Sequence, residues 1–193
     1  MALLIKKFGG TSVGSVEKIK NIARHICDSK ENGNDLVIVV SAMGHSTDQL
    51  NLLAETITKT PPKRELDMLL STGEQVTMAL LAMALNEYGV PAISMTGSQV
   101  GIITESSHGK ARILDIKTER VHDLIEQGYV VVIAGFQGAS LSHNGSMEIT
   151  TLGRGGSDTS AVALSSALGA ETCEIYTDVP GVLTTDPRIV ENA

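Results

Sequence analysis

The chain has 193 residues, 42% of them hydrophobic and only 3% aromatic, with 19 glycines and a formal net charge of −7. That length fits one domain with a sizeable core, and an apolar fraction carried by Val, Ile, Leu, Ala and Met suits an α/β protein. The acidic balance disfavours a nucleic-acid partner, since neutralising phosphates calls for a basic surface, yet it leaves room for a small anion held by local donors and helix ends.

Ala2 to Phe8 reads as a buried strand that breaks at Gly9-Gly10-Thr11-Ser12. Apolar residues at Ile19, Ile22, Ala23, Ile26 and Cys27 then recur with helical period across Glu17 to Lys30, and Asn32-Gly33-Asn34 closes that helix. Leu36 to Val40 is a continuous β-branched strand ending in Ser41-Ala42-Met43-Gly44. A helix is expected over Thr47 to Lys59. Leu66 to Tyr88 reads as two helices parted at Ser71-Thr72-Gly73, with a short strand at Ala92 to Met95. Hairpin-like strands are expected between Gly97 and Asp115, a helix over Ile116 to Gln127, and a strongly apolar strand over Tyr129 to Ala134 that stops at Gly135. Ser146 to Leu152 is a short strand or a loop, Asp158 to Leu168 a small-residue helix after a glycine loop, and Glu174 to Tyr176 a strand. Thr177 to Arg188 is irregular, with two prolines. Strands alternating with helices predict a mostly parallel sheet covered on both faces, with ligands bound beyond the carboxyl ends of the strands.

Cys27 and Cys173 are expected to be reduced core residues, as in a cytosolic protein. The N-terminus enters a strand-like run with no signal peptide, and the apolar runs read as too short and too interrupted to span a bilayer. A soluble, cytoplasmic protein with no membrane partner is the expectation.

The strand-end rule directs attention to a few glycine-bearing segments. Lys7-Phe8-Gly9-Gly10-Thr11-Ser12 could bring backbone N–H groups and an ammonium to a phosphate, although its spacing matches neither the Walker nor the dinucleotide pattern; alone it also reads as a plain strand-to-helix turn. Thr151 to Ser160 sets Arg154 among three glycines ahead of a helix, an anion cradle in which Asp158 is either a catalytic acid or a helix cap. Glu74 either binds ligand or supplies the negative charge favoured in a first helical turn. His45 reads as a solvated loop histidine. Gly135-Phe136-Gln137-Gly138 permits close approach of a ligand, and Thr177 to Arg188 carries polar and cationic groups suited to a nucleotide. There is no metal-ligand spacing of His and Cys and no nucleophile elbow, which disfavours a hydrolase.

Taken in order, KFGGTSV (7–13), SAMG (41–44), STGE (71–74), GFQG (135–138), TTLGRGGSDTSA (150–161), YTDVPGV (176–182) and DPR (186–188) closely resemble the aspartate kinases over nearly the whole chain. The resemblance implies the amino-acid-kinase fold, a three-layer α/β/α sandwich around a largely parallel sheet. The implied reaction is phosphorylation of the side-chain carboxylate of L-aspartate by ATP with Mg²⁺, the first step toward lysine, threonine and methionine. By matching position, Lys7 and Asp158 would be catalytic; Ser41, Thr47, Glu74, Arg154 and Ser157 would hold aspartate, with Glu74 on its α-ammonium; and Lys7, Phe8, Gly9, Gly10, Thr177, Asp178, Leu183 and Arg188 would face the nucleotide. Leu183 stands where many relatives carry an aromatic residue. The resemblance further implies that 1–193 is a catalytic domain lacking a final catalytic segment and ACT regulatory domains, and that the chain forms a homodimer or associates with a longer chain. Glutamate 5-kinase, acetylglutamate kinase and uridylate kinase are rivals within the fold; a non-catalytic ligand-binding or assembly module is the rival outside it. The reading requires Lys7, Arg154 and Asp158 to converge on one cleft.

Overall fold

In the computed structural model the described residues are 1–141, 145–178 and 190. Five parallel strands form the main sheet in the order β3 (Ala92–Met95), β6 (Val130–Ala134), β2 (Asp35–Val40), β1 (Leu3–Phe8) and β9 (Thr172–Tyr176). Leu36 to Val40 and Val130 to Ala134 are inaccessible to solvent, as continuous apolar strands covered on both faces must be.

Helices α1 (Val16–Glu31) and α3 (Lys63–Glu87) cover one face, where Ile19, Ile26, Leu81 and Leu85 pack on Leu36, Ile38 and Val40. On the other face α5 (Glu119–Glu126) and α6 (Gly156–Leu168) bring Val121, Ala161 and Leu164 against Ile5, Val37 and Val39. The expected three-layer sandwich is therefore present. A second, mixed sheet, β5 (Ile113–Ile116), β4 (Ile102–Thr104), β7 (Gln137–Leu141) and β8 (Met147–Thr151), stands beside it. Helices α2 (Ser46–Ile57) and α4 (Gly97–Val100) complete the described elements.

Two expectations are corrected. Helix α3 runs unbroken through Ser71-Thr72-Gly73, because both hydroxyls turn back onto the chain: Ser71 Oγ donates to the Met68 carbonyl at 2.9 Å and Thr72 Oγ1 to the Leu69 carbonyl at 2.6 Å. Glu74 is thereby a mid-helix residue and not a first-turn one. That same helix is long and apolar enough to cross a membrane by length and composition, contrary to the reading of short apolar runs. It is a core helix here, half buried across its apolar window and packed on both sheets, with Asp67 and Glu74 among its buried residues. Gln137 to Leu141, to which the sequence assigns no element, is a strand; Gly138 and Ala139 let it nest against β4.

The fit of α4 against β7 is especially close. A Cβ at Gly97 would stand 2.1 Å from the Gln137 carbonyl oxygen and 2.7 Å from its carbon, both rigid backbone atoms. Gly97→Ala is expected to cost about 3 kcal/mol or more of folding stability, read as a lower urea midpoint with an unchanged slope.

Candidate active site

The main sheet directs its carboxyl ends to one edge, where a cleft of about 440 Å³ opens between the β1 and β2 loops, α3 and the glycine turn before α6. Strand alternation decides which lysine reaches it. Leu4, Lys6 and Phe8 face α1 while Ile5 and Lys7 face α6, so Lys7, almost fully buried, extends Nζ to 2.6 Å from Asp158 Oδ1. Asp158 is half exposed at the cleft wall, leaving its carboxylate partly hydrated while the ammonium is held. It is not the helix cap. Gly155 is, in the left-handed conformation (φ 76°), and Asp158 sits in the first turn, where negative charge complements the helix dipole.

Arg154 stands between Gly153 and Gly155, whose φ values of 81° and 76° suit glycine and turn the chain so that the guanidinium lines the same cleft. It forms no ion pair among the described residues. Ser41, Thr47, Glu74 and Ser157 complete the polar lining.

Glu74 is the most perturbed acid of the site. Its side chain is 3% exposed; Oε1 accepts from the Ala42 N–H at 3.1 Å, and Oε2 is buried with no partner. Burial pushes its carboxyl up to about 7, against the opposing backbone hydrogen bonds. An unpartnered buried carboxylate oxygen beside a polar cleft is a site prepared for a cation.

The residues expected on the nucleotide side fall differently. Gly10 lines the cleft, but the Gly9 N–H is committed to the Tyr176 carbonyl at 3.1 Å. The Phe8 ring is buried and stacks on Tyr176 with centroids 4.7 Å apart, so only its backbone is available to a ligand. Thr177 and Asp178 border a neighbouring hollow of about 380 Å³ with Thr11 and Lys18. Leu183 and Arg188 lie outside the described residues.

Several residues of the site region were given no role of their own by sequence reasoning. Phe136 lines the cleft with φ 68°, the positive value recorded for a non-glycine residue among those described. That left-handed backbone costs on the order of 1–2 kcal/mol, and its N–H is held by Ser160 Oγ at 3.1 Å. Lys6, on the opposite face from Lys7, is buried and meets Glu174 Oε2 at 3.2 Å. Tyr176 donates to that same oxygen at 2.7 Å, which holds the Glu174 carboxyl below its ordinary range, while burial pushes the Tyr176 phenol up to about 12. Asp67 is buried behind Arg154 beside a second cavity of about 610 Å³ that shares Thr47, Phe136, Gly153 and Arg154 with the first. Neither Lys6 nor Asp67 carries a local sequence signal; their pairing is purely tertiary.

Residues 2–193 match the model of the amino acid kinase family. The chain belongs to that family. Within it, the chain is 62% identical over all 193 residues to an aspartokinase of Bacillus sp. (strain MGA3) and 60% identical to aspartokinase 2 of Bacillus subtilis. It spans 46% of the length of each. Among solved amino acid kinase folds, aspartate kinase from Synechocystis superposes with a TM-score of 0.81 at 58% identity, covering 98% of this chain and 31% of that one. Aspartokinase III from E. coli, in complex with aspartate and ADP, superposes with a TM-score of 0.80 at 26% identity, covering 98% of this chain and 52% of that one. Isopentenyl phosphate kinase, at 21% identity and a TM-score of 0.69, shares the fold.

Proposed function

We propose that the cleft transfers the γ-phosphoryl group of ATP to the side-chain carboxylate of L-aspartate, giving 4-phospho-L-aspartate and ADP. The observation that carries this reading is the convergence of an ammonium, a free guanidinium and an unpartnered buried carboxylate in one cleft: Lys7, Arg154 and Glu74. An amino acid presents the complementary set. Glu74 accepts the α-ammonium, Arg154 and Ser157 hold a carboxylate in the bidentate manner that guanidinium favours, and Ser41 and Thr47 add hydroxyl contacts. The high identity to the Bacillus aspartokinases supports aspartate over the other acids.

The chemistry asks little beyond alignment and charge. A carboxylate oxygen is already nucleophilic; it attacks phosphorus as the bond to the β–γ bridging oxygen breaks, and the electron pair leaves on ADP. Lys7 meets the charge that spreads over the transferring oxygens, and Asp158 holds the ammonium in place. The main chain of Gly10 lies at the phosphate side, with Phe8 and Gly9 contributing backbone only, and Thr177 and Asp178 lie toward the nucleotide; Leu183 and Arg188 are proposed for that side from sequence alone. Mg²⁺, which binds through one or two carboxylates together with phosphates, fits a cleft holding half-exposed Asp158, and would add charge neutralisation on the phosphates. Among the described residues no group of His, Cys, Asp and Glu forms a metal cage of its own. The unit 1–193 is proposed to be a catalytic domain of a cytoplasmic enzyme that works as a homo-oligomer, in keeping with both cysteines being free.

A hydroxylamine trap for the acyl phosphate tests the reading. With ATP and Mg²⁺, the protein as expressed from its gene is expected to form hydroxamate from L-aspartate at least about a hundred-fold faster than from L-glutamate or N-acetyl-L-glutamate, the range open to a site that pairs buried charges. Equal rates, or a preference for either of the other acids, would contradict it.

A further inference from the structure

Asp67 occupies a position that the proposed transfer does not use directly. Its side chain is 1% exposed, and it receives three donor groups from two separate segments, the 108–109 turn and the end of β8. Thr151 Oγ1 donates at 2.6 Å, the Gly109 N–H approaches both oxygens at 3.1 Å, and His108 Nδ1 stands 2.8 Å from Oδ2. A carboxylate accepts only, so the His108 ring donates from Nδ1. With all three donors made, the buried charge is satisfied, and its interactions fix the two segments relative to α3.

Both segments lead to Arg154. Thr151 ends β8 three positions earlier, and its carbonyl is itself pinned by the Ala111 N–H at 2.9 Å. Gly109 belongs to the turn before β5, and its carbonyl oxygen abuts Gly153: a Cβ built there would sit 3.3 Å away. The same helix reaches the cleft again seven residues on, where Glu74 receives the Ala42 N–H. Positions 67 and 74 lie on one helical face. One face of α3 thus sets the loop that bears Arg154 and supplies the carboxylate proposed for the substrate ammonium.

We infer that Asp67 is a positioning residue for substrate binding, holding the Leu152–Gly155 turn through Thr151 and Gly109 so that the Arg154 guanidinium meets the amino-acid carboxylate. This rests on the role proposed for Arg154. Because Asp67 touches neither the phosphoryl site nor the nucleotide side, its loss weakens amino-acid binding and spares the chemical step.

A mutant cycle separates the two ideas. In steady-state assays with L-aspartate, Asp67→Asn is expected to raise KM for aspartate about ten-fold, with kcat within about three-fold and KM for ATP unchanged. Arg154→Ala is expected to raise KM for aspartate by at least as much, and Asp67→Asn added to Arg154→Ala is expected to raise it no further. Should Asp67→Asn fold poorly, Thr151→Val removes one of the donors without loss of volume, and Thr151→Ser is expected to restore the wild-type KM. An equal Asp67→Asn effect in both Arg154 backgrounds, or kcat falling while KM for aspartate holds, would overturn the positioning role. An unchanged KM in Arg154→Ala alone would instead remove Arg154 from the substrate site.

Discussion

Lys7→Ala is expected to reduce aspartate phosphorylation by at least about a hundred-fold while the protein stays folded. The rate loss follows from removing a buried ammonium aimed at the place where charge develops, an effect of that size or more for a single preorganised donor. The intact fold follows from the asymmetry of the pair: Lys7 is buried, whereas Asp158, left behind, is half exposed and can be hydrated. Lys7→Met, which keeps the apolar stem, should lose activity equally, which separates charge from packing. Rate measurements beside thermal denaturation of both variants check this; turnover near wild type would remove Lys7 from the mechanism.

Glu74→Gln should make the protein more stable and much less active. Burial raises the Glu74 carboxyl to about 7, so the folded protein keeps a proton between about pH 4.5 and 7 that the unfolded chain releases. The stability associated with that proton is present below the unfolded value and is lost as pH rises through 7. A glutamine carries no such penalty, so the variant's advantage should grow across that window to on the order of 3 kcal/mol at pH 8. Substrate binding runs the other way. The contact proposed between Glu74 and the substrate ammonium needs the ionised carboxylate, so KM for aspartate should climb in the wild type as pH falls below 7. In Glu74→Gln it should be raised about thirty-fold or more, the ~2 kcal/mol minimum for a buried charge pair that loses one partner, and be insensitive to that pH range. Urea denaturation and KM measured from pH 6 to 8 read both halves. A site that stores instability until its ligand arrives is a familiar stability–activity compromise.

The central strands β2 and β6 were legible because their burial is written as continuous apolar runs, Leu36 to Val40 and Val130 to Ala134. Strand β7 was not, since Gly138, Ala139 and Ser140 are buried by small size and Gln137 by a tertiary hydrogen bond from its amide to the Ser71 carbonyl at 2.8 Å, and no local period marks them. The break expected in α3 came from residues with poor helix propensity, which tertiary packing overrode: Gly73 lies against the Ala42 methyl, where a Cβ would stand 2.9 Å away. The site divides in the same way. Arg154 stands in a glycine-rich turn, and Lys7 and Asp158 flank such turns, whose composition announces anion binding; the three do share a cleft. Asp67 and Lys6 carry no such punctuation. Their partners, Thr151 and Glu174, are far away in sequence, and only the register of the sheets brings them near. Phe136 was flagged only through its flanking glycines, although its own backbone takes the left-handed conformation.

A crystal structure of the protein with L-aspartate and a non-hydrolysable ATP analogue tests the central claim most directly. The aspartate ammonium is expected on Glu74 Oε2, a carboxylate on Arg154, and the γ-phosphoryl group beside Lys7 in line with the free side-chain oxygen. Aspartate seated elsewhere, or the triphosphate bound with its γ-phosphoryl group out of reach of Lys7, would contradict it.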